Sequence, residues 1–169
     1  RSYKTIERLY SHSEVEVALF NLFVLILKKK KVREIDSCGD ATGYSLIISK
    51  HYASVVQKRK DKAKEQKQTK KLFVYKFALM DLKTKMYVCY GTSFKSEKEA
   101  FEQSMQMLNR IDVIIDSVRL DKYYSFTSYV DRFSNSKVYI IPRKNATLKG
   151  SQKWKQIIKA FVEDTLTYL

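Results

Sequence analysis

Five aspartates sit where their chemistry could act on a polyanion. Asp36 and Asp40 share one β-prone stretch, with Asp40 inside Gly39-Asp40-Ala41-Thr42-Gly43-Tyr44-Ser45. Asp112, Asp116 and Asp121 share another, which ends in Arg119-Leu120-Asp121-Lys122-Tyr123-Tyr124-Ser125. A carboxylate at the end of an apolar strand needs a reason, because an unpaired buried charge is costly. A hard divalent cation is one reason: Mg2+ takes oxygen ligands and is usually held by one or two carboxylates plus waters and phosphate oxygens. Two such ions about 4 Å apart activate an attacking hydroxyl and stabilise the leaving oxygen in phosphoryl transfer. The plainer account is that these residues cap helices, make turns or pair with lysines, and composition alone leaves both open. Other chemistries fare worse. His12 and His51 lie far apart, and Cys38 and Cys89 lack metal-ligand spacing, so a zinc site has little support. No dinucleotide fingerprint, phosphate loop or nucleophile elbow is present. Cys89, inside a strand, reads as a small hydrophobe.

The elements that would position these aspartates follow from pattern. Residues 3–28 read as two helices, the second opened by a Ser13–Glu16 capping box and apolar nearly all round, so it should be largely buried. A DNA-reading helix–turn–helix is the competing view; without a turn glycine, and with so apolar a second helix, a packing helix is the simpler one. Glu34 to Ile48 reads as a strand. Leu72–Met80 and Met86–Tyr90 form a hairpin signal joined by Asp81-Leu82-Lys83-Thr84. Ser96 with Glu99 opens a helix striped by Ala100, Phe101, Met105 and Leu108. Then come a strand (113–121), a short helix (122–133), a strand ended by Pro142, and a helix capped by Ser151. This order predicts a mixed α+β (α/β) domain of ribonuclease H-like type. It would have a five-stranded mixed sheet, helices on both faces and extra N-terminal helices. The expected division is 1–33 as a helical extension, a candidate remnant of a DNA-binding region, and 34–169 as the core.

The chain has 169 residues, enough for one domain, and 44% apolar content excludes global disorder. Its 33 Lys+Arg against 18 Asp+Glu give a formal charge of +15, which points to nucleic acid as partner. The charge is concentrated in Lys28–Arg33, read as a solvated linker, and in Lys58–Lys71, eight basic residues in fourteen. Two cysteines fit a reducing cytoplasm. The most apolar run, Val15 to Leu27, is shorter than the roughly 20 residues of a bilayer span, so no membrane association is expected.

Four blocks in order carry a family likeness: Asp40-Ala-Thr-Gly-Tyr-Ser-Leu, Ser49-Lys-His-Tyr52, Leu120-Asp-Lys-Tyr-Tyr-Ser125 and Tyr139-Ile-Ile-Pro-Arg-Lys-Asn145. They resemble the catalytic core of prokaryotic insertion-sequence DDE transposases, of the kind found in methanogenic archaea, from about residue 34 to 169. The resemblance implies Mg2+- or Mn2+-dependent cleavage and joining of double-stranded DNA at transposon ends. Asp40 would be the first catalytic, metal-binding aspartate and Asp121 the second. The family's third acid is a glutamate in a Tyr, Arg, Glu, Lys signature that this sequence does not show. Glu163 and Asp164 fall in the right region with the wrong neighbours. The expectation is therefore a chain that lacks the C-terminal part of its catalytic unit and is inactive alone: a fragment, a decayed element or half of a split gene. A first residue of Arg rather than Met accords with that.

The basic residues expected on DNA are Lys58, Arg59, Lys60, Lys70, Lys71, Arg143 and Lys144, which would neutralise phosphates with little sequence preference. A homodimer is an open assembly. The alternative from another class is a non-catalytic basic nucleic-acid-binding module that stacks bases on Tyr123, Tyr124 and Tyr129. A structural protein with no nucleic-acid role is the third reading.

Overall fold

The computed structural model describes residues 3–10, 12–45 and 73–164. The lysine run 58–71, the block 49–52 and Thr165 lie outside the described residues. Two helices lead, α1 (Tyr3–Tyr10) and α2 (Ser13–Lys29). Five strands follow: β1 (Glu34–Ser45), β2 (Phe73–Asp81), β3 (Tyr87–Ser93), β4 (Ile114–Leu120) and β5 (Lys137–Ile140). Helix α3 (Glu97–Leu108) separates β3 from β4, the short α4 (Thr127–Val130) separates β4 from β5, and α5 (Gln152–Glu163) follows β5.

The strands hydrogen-bond in the order β3-β2-β1-β4-β5. β1 pairs antiparallel with β2 and parallel with β4; β2–β3 is antiparallel and β4–β5 parallel. This is the ribonuclease H-like arrangement that the element order predicts. β1 is central, and its alternation buries Ile35, Ser37 and Gly39 while Asp36 and Asp40 face out. Ser37, a buried hydroxyl, donates to the Ser117 carbonyl of β4 at 3.0 Å, so the central pair leaves no orphan there.

The hairpin turn has no Asn-Gly, and the Asp81 carboxylate organises it instead. Asp81 accepts from the N–H of Lys83 (3.2 Å) and of Thr84 (2.9 Å), and from the Thr84 hydroxyl. Burial works to raise the Asp81 pKa, but these hydrogen bonds and the Lys83 charge outweigh it and hold the carboxyl below its ordinary value.

Helix α3 begins as expected, with the Glu99 N–H on Ser96 Oγ at 3.2 Å. The reciprocal half of the box is absent, because the Glu99 carboxylate takes the Ser93 hydroxyl and the Lys95 ammonium. α3 lies against β2 and β3, where Phe101 meets Phe77 edge-on with centroids 4.9 Å apart. Tyr124, Tyr129 and Phe133 complete this aromatic cluster around Phe101. Such pairs are worth about 0.5–1.5 kcal/mol each beyond area burial. Cys89 is buried in it beside Ser104 Oγ (3.2 Å), and burial pushes its thiol up to about 11, as a core residue rather than a nucleophile.

Four local expectations are corrected. Helix α2 is mostly exposed: of its residues only Leu27 is buried, and Leu19, Leu22 and Leu25 are about half exposed or more. Its contacts run along one line, Phe23 edge-on to Tyr90 and Phe20 beneath the Arg110 guanidinium, and no described element covers the other side. The Ser13–Glu16 box is not formed. His12 is the N-cap, in extended backbone, and its carbonyl receives the N–H groups of Val15 and Glu16. Residues 122–133 are not one helix but a 3-10 turn (Lys122–Tyr124), α4, and a second 3-10 turn (Asp131–Phe133).

The fourth correction concerns Lys28–Arg33. Its lysines are exposed, yet the run is a helix stop rather than a linker. Lys31 has φ 55°, the Lys31 N–H bonds Lys28 O and the Val32 N–H bonds Leu27 O, while Val32 and Leu27 are both buried. That is a Schellman motif with its apolar contact. Lysine at a left-handed position carries a strain glycine avoids. Lys31→Gly is therefore expected to stabilise the fold by about 1 kcal/mol in urea unfolding; a loss of stability would contradict this cap.

Candidate active site

Asp40 and Asp121 are brought together by register. The parallel ladder of β1 and β4 ends at the pair Gly39–Leu120, so each aspartate is the next residue along the chain, Asp40 within β1 and Asp121 just past the end of β4. Adjacent strands lie about 4.8 Å apart, so the two residues flank one another at the carboxyl end of the parallel pair. That end is where open α/β sheets place their ligands. Both side chains are exposed.

Each aspartate is oriented locally. Asp40 Oδ1 accepts the Ala41 N–H at 2.8 Å. Asp121 is the N-cap of the 3-10 turn, its Oδ1 accepting the Lys122 N–H at 2.7 Å. Gly39 explains the residue before Asp40. A Cβ there would lie 2.6 Å from Leu79 Cδ2, 2.8 Å from Leu120 Cδ2 and 2.9 Å from Phe77 Cζ. An alanine there would require the ends of these side chains to shift, so glycine is the residue that lets β1 lie this close to the core without disturbing them.

The turn after Asp121 is tied down from two sides. On one side Tyr124, 1% exposed, donates its hydroxyl to Glu97 Oε1 of α3 at 2.6 Å. Burial, the Glu97 hydrogen bond and the charges of Glu97 and Asp40 hold the phenol far above its ordinary pKa, so it remains a neutral donor. On the other side Arg143, just beyond β5, reaches back to the carbonyls of Lys122 and Tyr123.

The chain is 44% identical over 169 residues, 99% of its length, to a protein of Archaeoglobus fulgidus described as "Probable transposase for insertion sequence element ISA1214". Over nearly its whole length the chain is thus similar to a probable insertion-sequence transposase. It spans about half (49%) of that relative's length. No family model matches the chain.

The remaining transposase-derived expectations distribute as follows. Lys58, Arg59, Lys60, Lys70 and Lys71 lie outside the described residues, as does His51. Lys144 is exposed beside the half-buried Arg143. Of the three tyrosines offered for base stacking, Tyr124 and Tyr129 are buried in the aromatic cluster and are unavailable to a base. Tyr123 is partly exposed, with the Arg143 guanidinium 5.8 Å from its ring. Of its three stacking candidates, that module keeps only Tyr123. Asp36 is accounted for by its strand partner, since it accepts the Ser117 hydroxyl. Asp116 borders a recess between β5 and α5 together with Lys137 and Lys153, and Asp112 is exposed before β4 begins.

Two residues around the site, Lys76 beside Asp40 and Glu97 behind the turn after Asp121, were not singled out from sequence. Lys76 stands on β2 opposite Thr42, two residues from the Asp40 partner Ala78, and lines a recess with Cys38, Asp40 and Tyr87. Its signal was a lone cation inside the run Phe73-Val-Tyr-Lys-Phe-Ala-Leu-Met. Glu97 had no signal, because a glutamate in a first helical turn is ordinary dipole pairing.

The donor set suits a hard cation in part. Two exposed carboxylates beside the last rung of the parallel ladder are the oxygen ligands Mg2+ or Mn2+ uses when waters and phosphate oxygens fill the rest. Among the described residues no group of three or more His, Cys, Asp or Glu is assembled to hold a metal. Glu163 and Asp164 are exposed at the end of α5. Among the described residues no single helix is long and apolar enough to cross a membrane.

Proposed function

We propose that this chain carries two of the acidic residues of a transposase active site, Asp40 and Asp121, together with part of its DNA-binding surface. The observation that supports the reading is that Asp40 and Asp121 each follow the last rung of the parallel β1–β4 ladder, in a chain 44% identical to a probable transposase.

Asp40 and Asp121 would hold Mg2+ or Mn2+, which when bound stabilises charge on phosphoryl oxygens. The protein's own part is to fix the carboxylates. β1 and β4 set their separation, the Ala41 and Lys122 N–H groups orient one oxygen of each, and the buried cluster beneath keeps the ends of both strands from shifting. Lys76 and Lys144, with the basic run 58–71, supply cations for duplex phosphates, giving affinity that is strongly salt-dependent. A DNA substrate accords with a cytoplasmic site of action, and a homodimer remains compatible with it.

Strand cleavage needs more than these two residues. Removing one member of a set that acts as a unit costs most of the rate, and no third acid is assembled among the described residues. The chain by itself is therefore expected to bind duplex DNA without cutting it. The test pairs filter binding over a range of salt with nicking of supercoiled plasmid in Mg2+ or Mn2+. Steeply salt-sensitive binding without nicking is the expected result. Salt-insensitive or absent binding would sink the DNA reading. Metal-dependent nicking that disappears in Asp40→Ala would show that the chain is catalytically complete.

A further inference from the structure

Arg143 stands in a Pro-Arg-Lys-Asn segment whose charge alone suggests a phosphate contact. The geometry points elsewhere. β5 pairs in parallel with β4 up to Leu120–Ile140, and Pro142 then prevents the ladder from continuing. Arg143 therefore emerges beside the turn that begins at Asp121. That turn is a single 3-10 turn of three residues, with the Tyr124 N–H on Asp121 O (2.9 Å) and the Ser125 N–H on Lys122 O (3.1 Å). So short a turn has few bonds of its own to hold its orientation.

Arg143 supplies three more. Its Nε donates to Lys122 O at 3.3 Å and its Nη2 to Tyr123 O at 3.1 Å, while its backbone N–H donates to Ser125 Oγ at 3.2 Å. The guanidinium plane is fixed as well, lying 4.2 Å from the Phe126 ring centroid. A planar fork that reaches two successive carbonyls while resting on an aromatic face is something arginine does and lysine cannot. Two of the five N–H donors are thereby committed to backbone.

We propose that Arg143 is a positioning residue: it clamps the 122–124 turn and so holds the Asp121 carboxylate beside Asp40, rather than pairing with a DNA phosphate. The proposal rests on the reading of Asp40 and Asp121 as a metal-binding pair. Its effect is on how well a cation is held, in the manner of outer-shell partners whose loss costs about 10–100-fold in metal affinity.

The test measures two quantities on the full chain carrying Arg143→Ala or Arg143→Lys: Mn2+ affinity by titration calorimetry, and the slope of log DNA affinity against log salt. Both variants are expected to lose about tenfold in Mn2+ affinity while keeping the parent salt slope. Arg143→Lys keeps the charge and carries the test if the alanine variant does not fold; its failure to rescue separates the fork from the charge. Parent-like Mn2+ affinity in the variants overturns the proposal. So does a salt slope lower by about one in Arg143→Ala, the signature of a lost phosphate contact. Asp121→Asn run alongside separates the two ideas. If Asp121→Asn loses Mn2+ and the Arg143 variants do not, only the clamp is wrong; if Asp121→Asn keeps Mn2+, the metal pair is wrong and the clamp falls with it.

Discussion

Asp121→Asn is expected to weaken Mn2+ binding by at least about tenfold, since loss of a ligand should cost no less than loss of an outer-shell partner. Asparagine is also a good N-cap, so its amide oxygen can still accept the Lys122 N–H that Asp121 Oδ1 takes at 2.7 Å. The turn should survive and only the negative charge should go. Asp40→Asn retains its local bond from Ala41 by the same logic. DNA affinity moves the other way, if at all, because each change removes a negative charge from a surface meant to meet phosphates. In a protein with its full acidic set, either change should lower strand cleavage by about a thousandfold or more, as for other groups that act as a unit. Calorimetry with Mn2+ and a plasmid-nicking assay check the two halves. Unchanged Mn2+ affinity in both variants would leave the two aspartates without their assigned role.

Gly91→Ala carries the largest expected loss of stability. A Cβ at Gly91 would lie 2.0 Å from the carbonyl oxygen of Ala100 and 2.6 Å from the backbone nitrogen of Ser104, both in α3. Backbone cannot swing aside as a side chain can, so the whole helix would have to lift from β3. The layer it would disturb holds Phe101, Met105 and Cys89. Overpacking of this kind costs about 1–3 kcal/mol and occasionally more. At about 3 kcal/mol the melting temperature would fall by about 6–12 °C for a chain of this size. Thermal unfolding followed by circular dichroism reads it directly, and a change under about 2 °C would show that α3 is held less closely than described. Gly39 offers the contrast. There the nearest atoms are the ends of Leu79, Leu120 and Phe77, which can turn, so the same substitution should cost less.

The difference between these two glycines shows where sequence reading reaches its limit. The strands read over 34–48, 72–80, 86–90 and 113–121, and the one ended by Pro142, were legible because alternation and β-branched content report burial locally, and the element order then restricts the topology to few choices. The Ser96 and Ser151 caps were legible for the same reason: a cap is a bond between near neighbours, here at 3.2 Å in each case. Asp40 and Asp121 were legible as candidates from the motifs around them. The Ser13 box and the burial of α2 were misread, because a capping motif and an apolar surface state only what a segment can do. What it does depends on what lies against it, and for most of α2 no described element does.

Sequence by itself therefore determined the five strands, most of the helices, the mixed character of the sheet, the excess of positive charge and the two aspartates as candidates. These are properties of composition and of neighbours within a few residues. Only the tertiary structure decided that Gly39–Leu120 is the last rung of the parallel ladder, so that Asp40 and Asp121 come to stand together. It alone decided that Tyr124 bonds Glu97, and that Arg143 turns its fork onto backbone carbonyls rather than outward. Those contacts join residues 20 to 81 positions apart, and their existence depends on strand register, which no local pattern along the chain encodes.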